Sequence, residues 1–369
     1  MVSSCDIPSI NLQPFFEDKG VVIGDTPTTE QMEAAATIHQ ACQKHGFVHV
    51  NNFGLSESFG ERLFAASKDL FSVADKHDLV PWHPSHNTGY SPYKSESLNV
   101  NRPADLKEAF NVRFPPTSTN PSLSKTPMSF QEIVDDEFFR KLQTAAIRYS
   151  MACALALDLP IDFFSKTLKK FDQCTVRFLH YPPCDFAEIK ATTTTAADDA
   201  VGLNKAPVRA GEHTDFGAFT FLFLKEGPMG LQVKSVEGGE VGGSAGGEEA
   251  DGWKDVVVPS SPDDTNNHNK TGDENETTTA TTSFGAIINT GAMLARWTND
   301  HWKATAHRVV VPNAEIASQD RYSIAFFVDP DADEFIEVDP KFAGDGKCCY
   351  EPIRSRDFLS MKLNEMTLK

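Results

Sequence analysis

Three residues of the sequence could together bind a metal ion. His213 and Asp215 stand two positions apart within Gly211–Gly217, and side chains two apart in an extended strand project from the same face. Two histidines and one carboxylate on one face of an octahedron leave positions open for a co-substrate and O₂ on iron(II). The pattern therefore predicts a non-haem iron site whose third ligand is a second histidine from elsewhere in the chain.

The best candidate for that third ligand is His307. It directly precedes Arg308–Val311, a run typical of a strand, which would hold its imidazole rigidly. His301 is the competing choice, but its segment Trp297–Trp302 is more typical of a loop. Six other histidines fit ordinary surface or core positions: His39, His45, His77, His83, His86 and His268.

A second pair of polar residues follows the candidate ligands. In a strand beginning at Arg321, the side chains of Arg321 and Ser323 share a face. A guanidinium beside a hydroxyl suits a carboxylate, which it binds through charge-assisted, bidentate hydrogen bonds. The motif H-x-D alone occurs often by chance, and without it the arginine and serine would indicate only an exposed strand. Together the two motifs predict a metal with a carboxylate-bearing co-substrate.

These residues need a rigid scaffold, and the second half of the sequence predicts one rich in strands. Short runs of Val, Ile, Phe and Thr separated by turn residues are typical of a sandwich or barrel. The runs are 175–178, 219–224, 230–233, 284–289 and 321–328.

Helices are predicted mainly in the first half. Thr29–His45 ends at a glycine, as helices often do, and is followed by a strand at Phe47–Val50. Glu57–Phe71 carries one apolar side. Ser129 with Glu132 resembles a capping box that opens a long helix to about residue 157, and 355–363 is expected to close the chain as a helix.

Polar, low-complexity segments interrupt the strand-rich part at 191–208, 237–251 and 260–283. Their Gly, Thr, Asn, Asp and Glu cannot bury apolar surface, which predicts exposed insertions. The last two contain ten acidic residues and one lysine, or nine of the eighteen net negative charges. The folded core is therefore expected to be much less acidic than the whole chain.

Length and composition exclude several classes of protein. A chain of 369 residues can form one catalytic domain, here divided into a mixed α/β region at 1–125 and a helix plus β core at 126–369. A charge of −18 argues against nucleic-acid partners. Without a leader, an apolar span or a CxxC pair, the sequence predicts a cytoplasmic protein with no membrane partner. We expect a monomer that acts on a small molecule.

The ordered motifs resemble the isopenicillin N synthase-like family of iron(II)/2-oxoglutarate-dependent dioxygenases. The similar segments are 7–12, 46–54, 105–110, 177–183, 213–223, 289–309 and 321–327. The resemblance implies a mainly β fold, a distorted double-stranded β-helix (a cupin-like jelly-roll) with flanking N-terminal helices. It also implies Fe(II), 2-oxoglutarate and O₂ as cofactor and co-substrates, and it allows ascorbate as a reductant.

The family's site residues can be placed on this sequence. The resemblance makes His213, Asp215 and His307 the catalytic iron ligands. It assigns Arg321 and Ser323 to the distal carboxylate of 2-oxoglutarate, and Tyr181 to a supporting role. One position departs from the pattern, because Leu179 stands where many plant relatives have asparagine. By position, five residues are candidates for the substrate pocket: Arg113, Tyr90, Tyr93, Phe216 and Phe327, with Arg113 favouring a carboxylated substrate.

The resemblance implies hydroxylation, desaturation or oxidative cyclisation of a small organic molecule, with release of succinate and CO₂. One alternative is an oxidase of the same fold that does not consume 2-oxoglutarate, since such relatives can retain Arg-x-Ser. Another is a non-catalytic binding or sensing protein, against which the intact set of three metal-binding residues argues.

Overall fold

The architecture comes from a computed structural model. It describes residues 4–16, 26–83, 87–97, 99, 102–113, 123–193, 207–224, 230–234, 252–257, 284–343 and 348–367. The predicted insertions 237–251 and 260–283 lie outside the described residues. Of the predicted insertion 191–208, the first three residues complete a helix and Val208 begins a strand, so it is shorter than the sequence suggested.

The strands of the described residues form two large sheets and one small one. In chain order they are β1 Ser4–Asp6, β2 Ser9–Asn11, β3 Phe47–Asn51, β4 Gly89–Ser91, β5 Glu108–Arg113, β6 Thr175–Tyr181, β7 Val208–His213, β8 Phe219–Leu224, β9 Leu231–Lys234, β10 Trp253–Val257, β11 Ala286–Thr290, β12 His307–Val310, β13 Arg321–Val328, β14 Phe335–Ile336 and β15 Ile353–Arg354. The predicted strand bounds differ from these by a few residues at some ends, where hydrogen bonding rather than composition decides.

The helices lie mostly before and between the strands. They are α1 Thr29–Lys44, α2 Glu57–Phe71, α3 Met128–Ile133, α4 Asp136–Ala156, α5 Phe186–Thr193, α6 Ala292–Trp297, α7 Ala314–Ala317 and α8 Ser355–Thr367. The capping box of α1 is formed by Thr28 and Gln31, and α2 has the predicted bounds.

The prediction of one long helix beginning at Ser129 is wrong for its first part. The chain forms two helices, and Val134 between them has a non-helical backbone. Asp135, rather than Ser129, accepts the hydrogen bond that begins the long helix α4, from the backbone N–H of Phe138. The Ser129 hydroxyl instead donates to Asp69. A tertiary contact therefore competes with the local capping pattern.

The two large sheets pack face to face. One has the strand order β1-β10-β9-β12-β7, and the other β2-β3-β11-β8-β13-β6-β5-β4. Between them, Ala210 and Val309 of the five-stranded sheet pack against Leu179, Tyr181 and Ala325 of the eight-stranded sheet. We call the side of the eight-stranded sheet that carries these residues its inner face.

The outer face of the eight-stranded sheet holds the main hydrophobic core. Phe221 and Phe326 pack there with Ile38 of α1, Leu63 of α2 and Leu142 of α4. Strand β13 shows the division clearly, because its even-numbered residues face this core. They are Tyr322, Ile324, Phe326 and Val328. Period-two alternation therefore turns Arg321, Ser323, Ala325 and Phe327 towards the inner face.

Candidate active site

His213, Asp215 and His307 converge at one edge of the space between the sheets. The potential ligand atoms of the three side chains all lie within 4.8 Å of one another. His213 and His307 are directly opposite in the antiparallel pair β7–β12, and their ring centroids are 4.3 Å apart. Asp215 Oδ1 lies 3.8 Å from Nε2 of each histidine. One ion could therefore contact all three.

A backbone carbonyl oxygen orients each of the two imidazoles. Nδ1 of His213 is 2.8 Å from the carbonyl oxygen of Gly211, and Nδ1 of His307 is 3.3 Å from that of Thr305. Since a carbonyl only accepts, each Nδ1 carries a hydrogen, and each Nε2 is the nitrogen that can bind a metal. In both cases the partner is two residues earlier in the chain.

Asp215 lies beyond the end of β7, so the strand spacing inferred from the sequence does not by itself position it. Its Oδ2 accepts hydrogen bonds from the Thr220 hydroxyl at 2.6 Å and from the Asn289 side-chain amide at 2.7 Å. Oδ1 is thereby directed towards the histidines. Thr220 and Asn289 are cross-strand partners in β8 and β11, and both face inward.

The charge states suit metal binding. Burial, together with the neighbouring His307, lowers the pKa of His213 to about 4, so its imidazole is neutral at physiological pH. Burial would raise the pKa of Asp215, but His307, His213 and the hydrogen bonds from Thr220 and Asn289 outweigh it and hold that pKa below its ordinary value. Two imidazoles and one carboxylate are the donor set of non-haem iron(II) oxygenases.

Helix α6 holds the turn that carries Asp215. The backbone N–H of Ala292 donates to the Asp215 carbonyl, and that of Met293 to Phe216 and Gly217. These first-turn donors have no partner within their own helix, so the turn satisfies them. Contact this close needs glycine, because a Cβ on Gly291 would lie 2.2 Å from the Gly217 carbonyl oxygen.

Replacement of Gly217 by alanine adds only one methyl group, but it should disturb this turn. A Cβ there would lie 2.1 Å from Asp329 Oδ1, and that carboxylate accepts from the buried N–H of Ala218. We expect Gly217→Ala to lower stability by about 1–3 kcal/mol, as overpacking does, and to impair iron binding. Thermal unfolding and iron content would measure both effects. In an Asp329→Ala background the added methyl should cost much less, and equal costs in both backgrounds would rule out this clash.

Arg321, Ser323 and Tyr181 form a second cluster on the inner face. Arg321 Nη1 donates to the Ser323 hydroxyl at 3.4 Å. The guanidinium carbon of Arg321 lies 4.8 Å from the ring centre of Tyr181, which is its direct cross-strand partner. Leu179 is the partner of Ser323 and packs in the apolar cluster between the sheets. A non-polar side chain therefore occupies the position at which the sequence departs from the family pattern.

The five candidate pocket residues occupy different environments. Phe327 is on the inner face opposite Thr220, the residue that donates to Asp215, and the half-buried Phe216 follows Asp215 directly. Arg113 ends β5, where its Nε donates to the Asp172 carbonyl at 2.9 Å. Tyr93 is 38% exposed.

Tyr90 does not fit the predicted position in the pocket. Its cross-strand partner is Phe110, and both side chains pack in the core on the outer face. The Tyr90 hydroxyl donates to Glu108, and burial is the main cause of its raised pKa. Alternation along β4 and β5 thus turns Tyr90 away from the face that carries the candidate metal ligands.

His301, the rival for the third ligand, lies elsewhere. Its Nε2 is 3.1 Å from the side-chain amide of Gln43, and its ring packs near His39 and Phe342. Thr220 and Asn289 were not singled out from the sequence as partners of Asp215. The available signal was their polarity within the mainly apolar runs Phe219–Leu224 and Ala286–Thr290.

Two family models and several characterised proteins match this chain. Residues 7–136 match the family described as non-haem dioxygenase in morphine synthesis N-terminal, and residues 254–330 match the 2OG-Fe(II) oxygenase superfamily. The chain is 24% identical to the 2-oxoglutarate-dependent dioxygenase citB of Monascus ruber, covering 90% of this chain and 87% of that protein. It is 26% identical to the proline hydroxylase buaE of Petromyces alliaceus, covering 80% and 81%.

A solved structure shows the same likeness in three dimensions. A full-length Neurospora crassa protein, crystallised in complex with alpha-KG and thymine, is 26% identical to this chain. The match has a TM-score of 0.70 and covers 97% of this chain and 96% of that one. The predicted jelly-roll with flanking helices is thus confirmed.

A jelly-roll that brings together two imidazoles and a carboxylate has the donor set of a non-haem iron oxygenase. The two family models together span more than half of the residues. The chain is a member of the iron(II)/2-oxoglutarate-dependent dioxygenases, and it oxidises a small organic molecule with Fe(II), 2-oxoglutarate and O₂. The predicted class and these cofactors are therefore confirmed.

Other expectations stay predictions: the division between residues 125 and 126, the monomeric state, the cytoplasmic location and the use of ascorbate. Within the described ranges, no helix has the length and apolar character needed to cross a bilayer.

Proposed function

We propose that His213, Asp215 and His307 hold the Fe(II) of this dioxygenase, and that Arg321 and Ser323 bind the distal carboxylate of 2-oxoglutarate. The convergence of the three metal-binding side chains supports the first assignment most directly. At the bound iron, O₂ would supply the oxidising power: two of its four oxidising equivalents convert 2-oxoglutarate to succinate and CO₂, and the other two oxidise the substrate. The protein's own contribution is to orient these groups and exclude water.

Charge balance supports placing both groups between the sheets. Asp215 and Arg321 contribute one negative and one positive charge. Fe(II) adds two positive charges, and the two carboxylates of 2-oxoglutarate add two negative charges. The assembly is therefore neutral, which favours its burial. Arg321 faces Ser323 and Tyr181, so its guanidinium lies beside hydroxyl groups that can complete the coordination of a carboxylate through hydrogen bonds.

We assign the substrate to the inner face beside Phe327, because this side chain lies next to the strand that fixes Asp215. The Neurospora crassa structure with alpha-KG and thymine supports a small polar molecule as the class of substrate. The choice between hydroxylation, desaturation and cyclisation depends on which carbon the substrate presents to the metal.

The cofactor assignment can be tested by anaerobic titration of the wild-type protein with Fe(II) and then 2-oxoglutarate. We expect a weak visible metal-to-ligand charge-transfer band that appears only when both are present. In air, the protein should then release one succinate for each 2-oxoglutarate that it consumes. Bound iron without such a band would contradict the proposal and favour the oxidase that does not use 2-oxoglutarate.

A further inference from the structure

Two buried polar atoms on the inner face lack a hydrogen-bond partner, although the side chains that carry them are otherwise well held. They are Oδ1 of Asn111 and Nε of Arg177. Asn111 is 2% exposed, and the two residues are directly opposite in the pair β5–β6. A buried acceptor and a buried donor left unpaired on neighbouring strands need an explanation, because each missing hydrogen bond costs free energy.

The orientation of the Asn111 amide is set by a chain of hydrogen bonds. The indole N–H of Trp82 donates to Oδ1 of Asn87 at 3.0 Å, and Nδ2 of Asn87 donates to the Thr175 hydroxyl at 3.2 Å. An indole nitrogen can only donate. The Asn87 oxygen therefore faces Trp82, and Asn111 must present its own NH₂ to that oxygen, at 2.8 Å. Oδ1 of Asn111 is left as the free atom.

Arg177 is held from its other end. Its Nη2 donates to Glu96. Nζ of Lys107 lies 3.5 Å from the same carboxylate and 2.5 Å from that of Asp105. Burial would raise the pKa of Glu96, but Arg177 and Lys107 outweigh it and lower that pKa to about 2. The two acids and two bases have no formal net charge, so this group of residues does not call for a charged ligand.

Both free atoms are on the side of the sheet that carries the metal-binding machinery. Ala109, two residues before Asn111, packs in the apolar cluster between the sheets. Ala325 is the partner of Arg177 on the other side, and Phe327 is two residues further along β13. An aromatic wall therefore lies diagonally across from the free donor and acceptor.

We propose that Asn111 Oδ1 and Arg177 Nε form a substrate subsite for a neutral group that carries an N–H beside a carbonyl, such as a cyclic amide or imide. The ligand N–H would donate to Asn111, and its carbonyl would accept from Arg177, with its flat face against Phe327. This inference rests on the proposed function, since it places that group beside the iron and 2-oxoglutarate. Arg113, on the same face, donates to the Asp172 carbonyl from both Nε and Nη2.

The test compares two lactams on the full-length protein loaded anaerobically with Fe(II) and 2-oxoglutarate. 2-Piperidone has the required N–H, and 1-methyl-2-piperidone lacks it. Each is titrated while the charge-transfer band is followed. In the wild type, we expect 2-piperidone to bind with at least about tenfold higher affinity than 1-methyl-2-piperidone, as measured by the shift of the band. The reason is that the methylated probe leaves Asn111 Oδ1 unpaired. No shift with either probe, or equal affinities, would overturn the subsite.

Variants separate the subsite from general damage. Asn111→Leu should reduce the ratio of the affinities for 2-piperidone and 1-methyl-2-piperidone to about one. Its affinity for 2-oxoglutarate should stay within about twofold of the wild-type value. Asn364→Leu makes the same change on the exposed surface of α8 and should keep the full preference. A preference retained in Asn111→Leu would exclude this residue as the acceptor. Loss of the band in the wild type would instead mean that the proposed function has failed.

Trp82→Phe provides a second test that does not alter a residue of the subsite. Trp82 is 41% exposed, so the protein should fold normally. Without the indole N–H, the Asn87 amide can turn over, and Asn111 can then present its NH₂ group to the ligand. We expect the preference for 2-piperidone to fall at least about threefold. An unchanged preference would contradict the role of this hydrogen-bond chain.

Discussion

His213→Ala should bind iron more than about 100-fold more weakly than the wild type and lose turnover. Even loss of an outer partner of a metal ligand commonly costs about 10–100-fold in affinity or activity, and this change removes a proposed ligand itself. The neutral imidazole, its Nε2 directed by the Gly211 carbonyl, has no substitute in alanine. Iron content after anaerobic loading and the charge-transfer band with 2-oxoglutarate would measure the loss.

His301→Ala is the matched control, because His301 was the rival ligand in the sequence. Its ring lies near Gln43 and His39, away from Asp215. This variant should retain the wild-type iron content and band. If His301→Ala lost iron while His213→Ala retained it, the assignment of the metal centre would be wrong.

Arg321→Ala should raise the concentration of 2-oxoglutarate needed for half-maximal activity by about 10–100-fold. A hydrogen bond to a charged group is worth about 1.5–3 kcal/mol, and about 1.4 kcal/mol corresponds to a factor of ten. Iron content should remain near the wild-type value, since Arg321 is on β13 and the proposed histidine ligands are on β7 and β12. Titration of the charge-transfer band gives the affinity without relying on turnover.

The effect of Arg321 can be distinguished from general destabilisation by two further variants. Ser323→Ala removes one neutral hydroxyl and should weaken 2-oxoglutarate binding less than Arg321→Ala does. Arg62→Ala removes an arginine from the outer surface of α2, where its guanidinium lies over Phe59, and should leave the affinity unchanged. An unchanged affinity in Arg321→Ala would show that another cation binds the distal carboxylate.

Much of the fold could be predicted because local patterns and tertiary contacts agree. Glu57–Phe71 has the same bounds in the structure as in the sequence pattern, since its apolar side is also its buried side. Strand β13 was predicted for the same reason. Ser129 shows the opposite case, because its hydroxyl bonds to Asp69, which is 60 residues away along the chain. Such a competing partner leaves no local trace in the sequence.

By itself, the sequence determined the class of chemistry. Residue types alone limit a site with His213, Asp215 and His307 to a few metals, and Arg321 beside Ser323 indicates a carboxylate. The tertiary structure alone decided how Asp215 is held, through Thr220 and Asn289 from two other strands.

The inward or outward direction of each pocket candidate was also a tertiary outcome. Tyr90 and Asn111 belong to neighbouring strands, and only the register of β4 and β5 turns Tyr90 to the helices and Asn111 to the site. Register has this effect because successive side chains alternate between faces, so a shift of one residue would exchange the two sets. The sequence specifies which side chains are available for chemistry, and strand pairing selects those that meet the substrate.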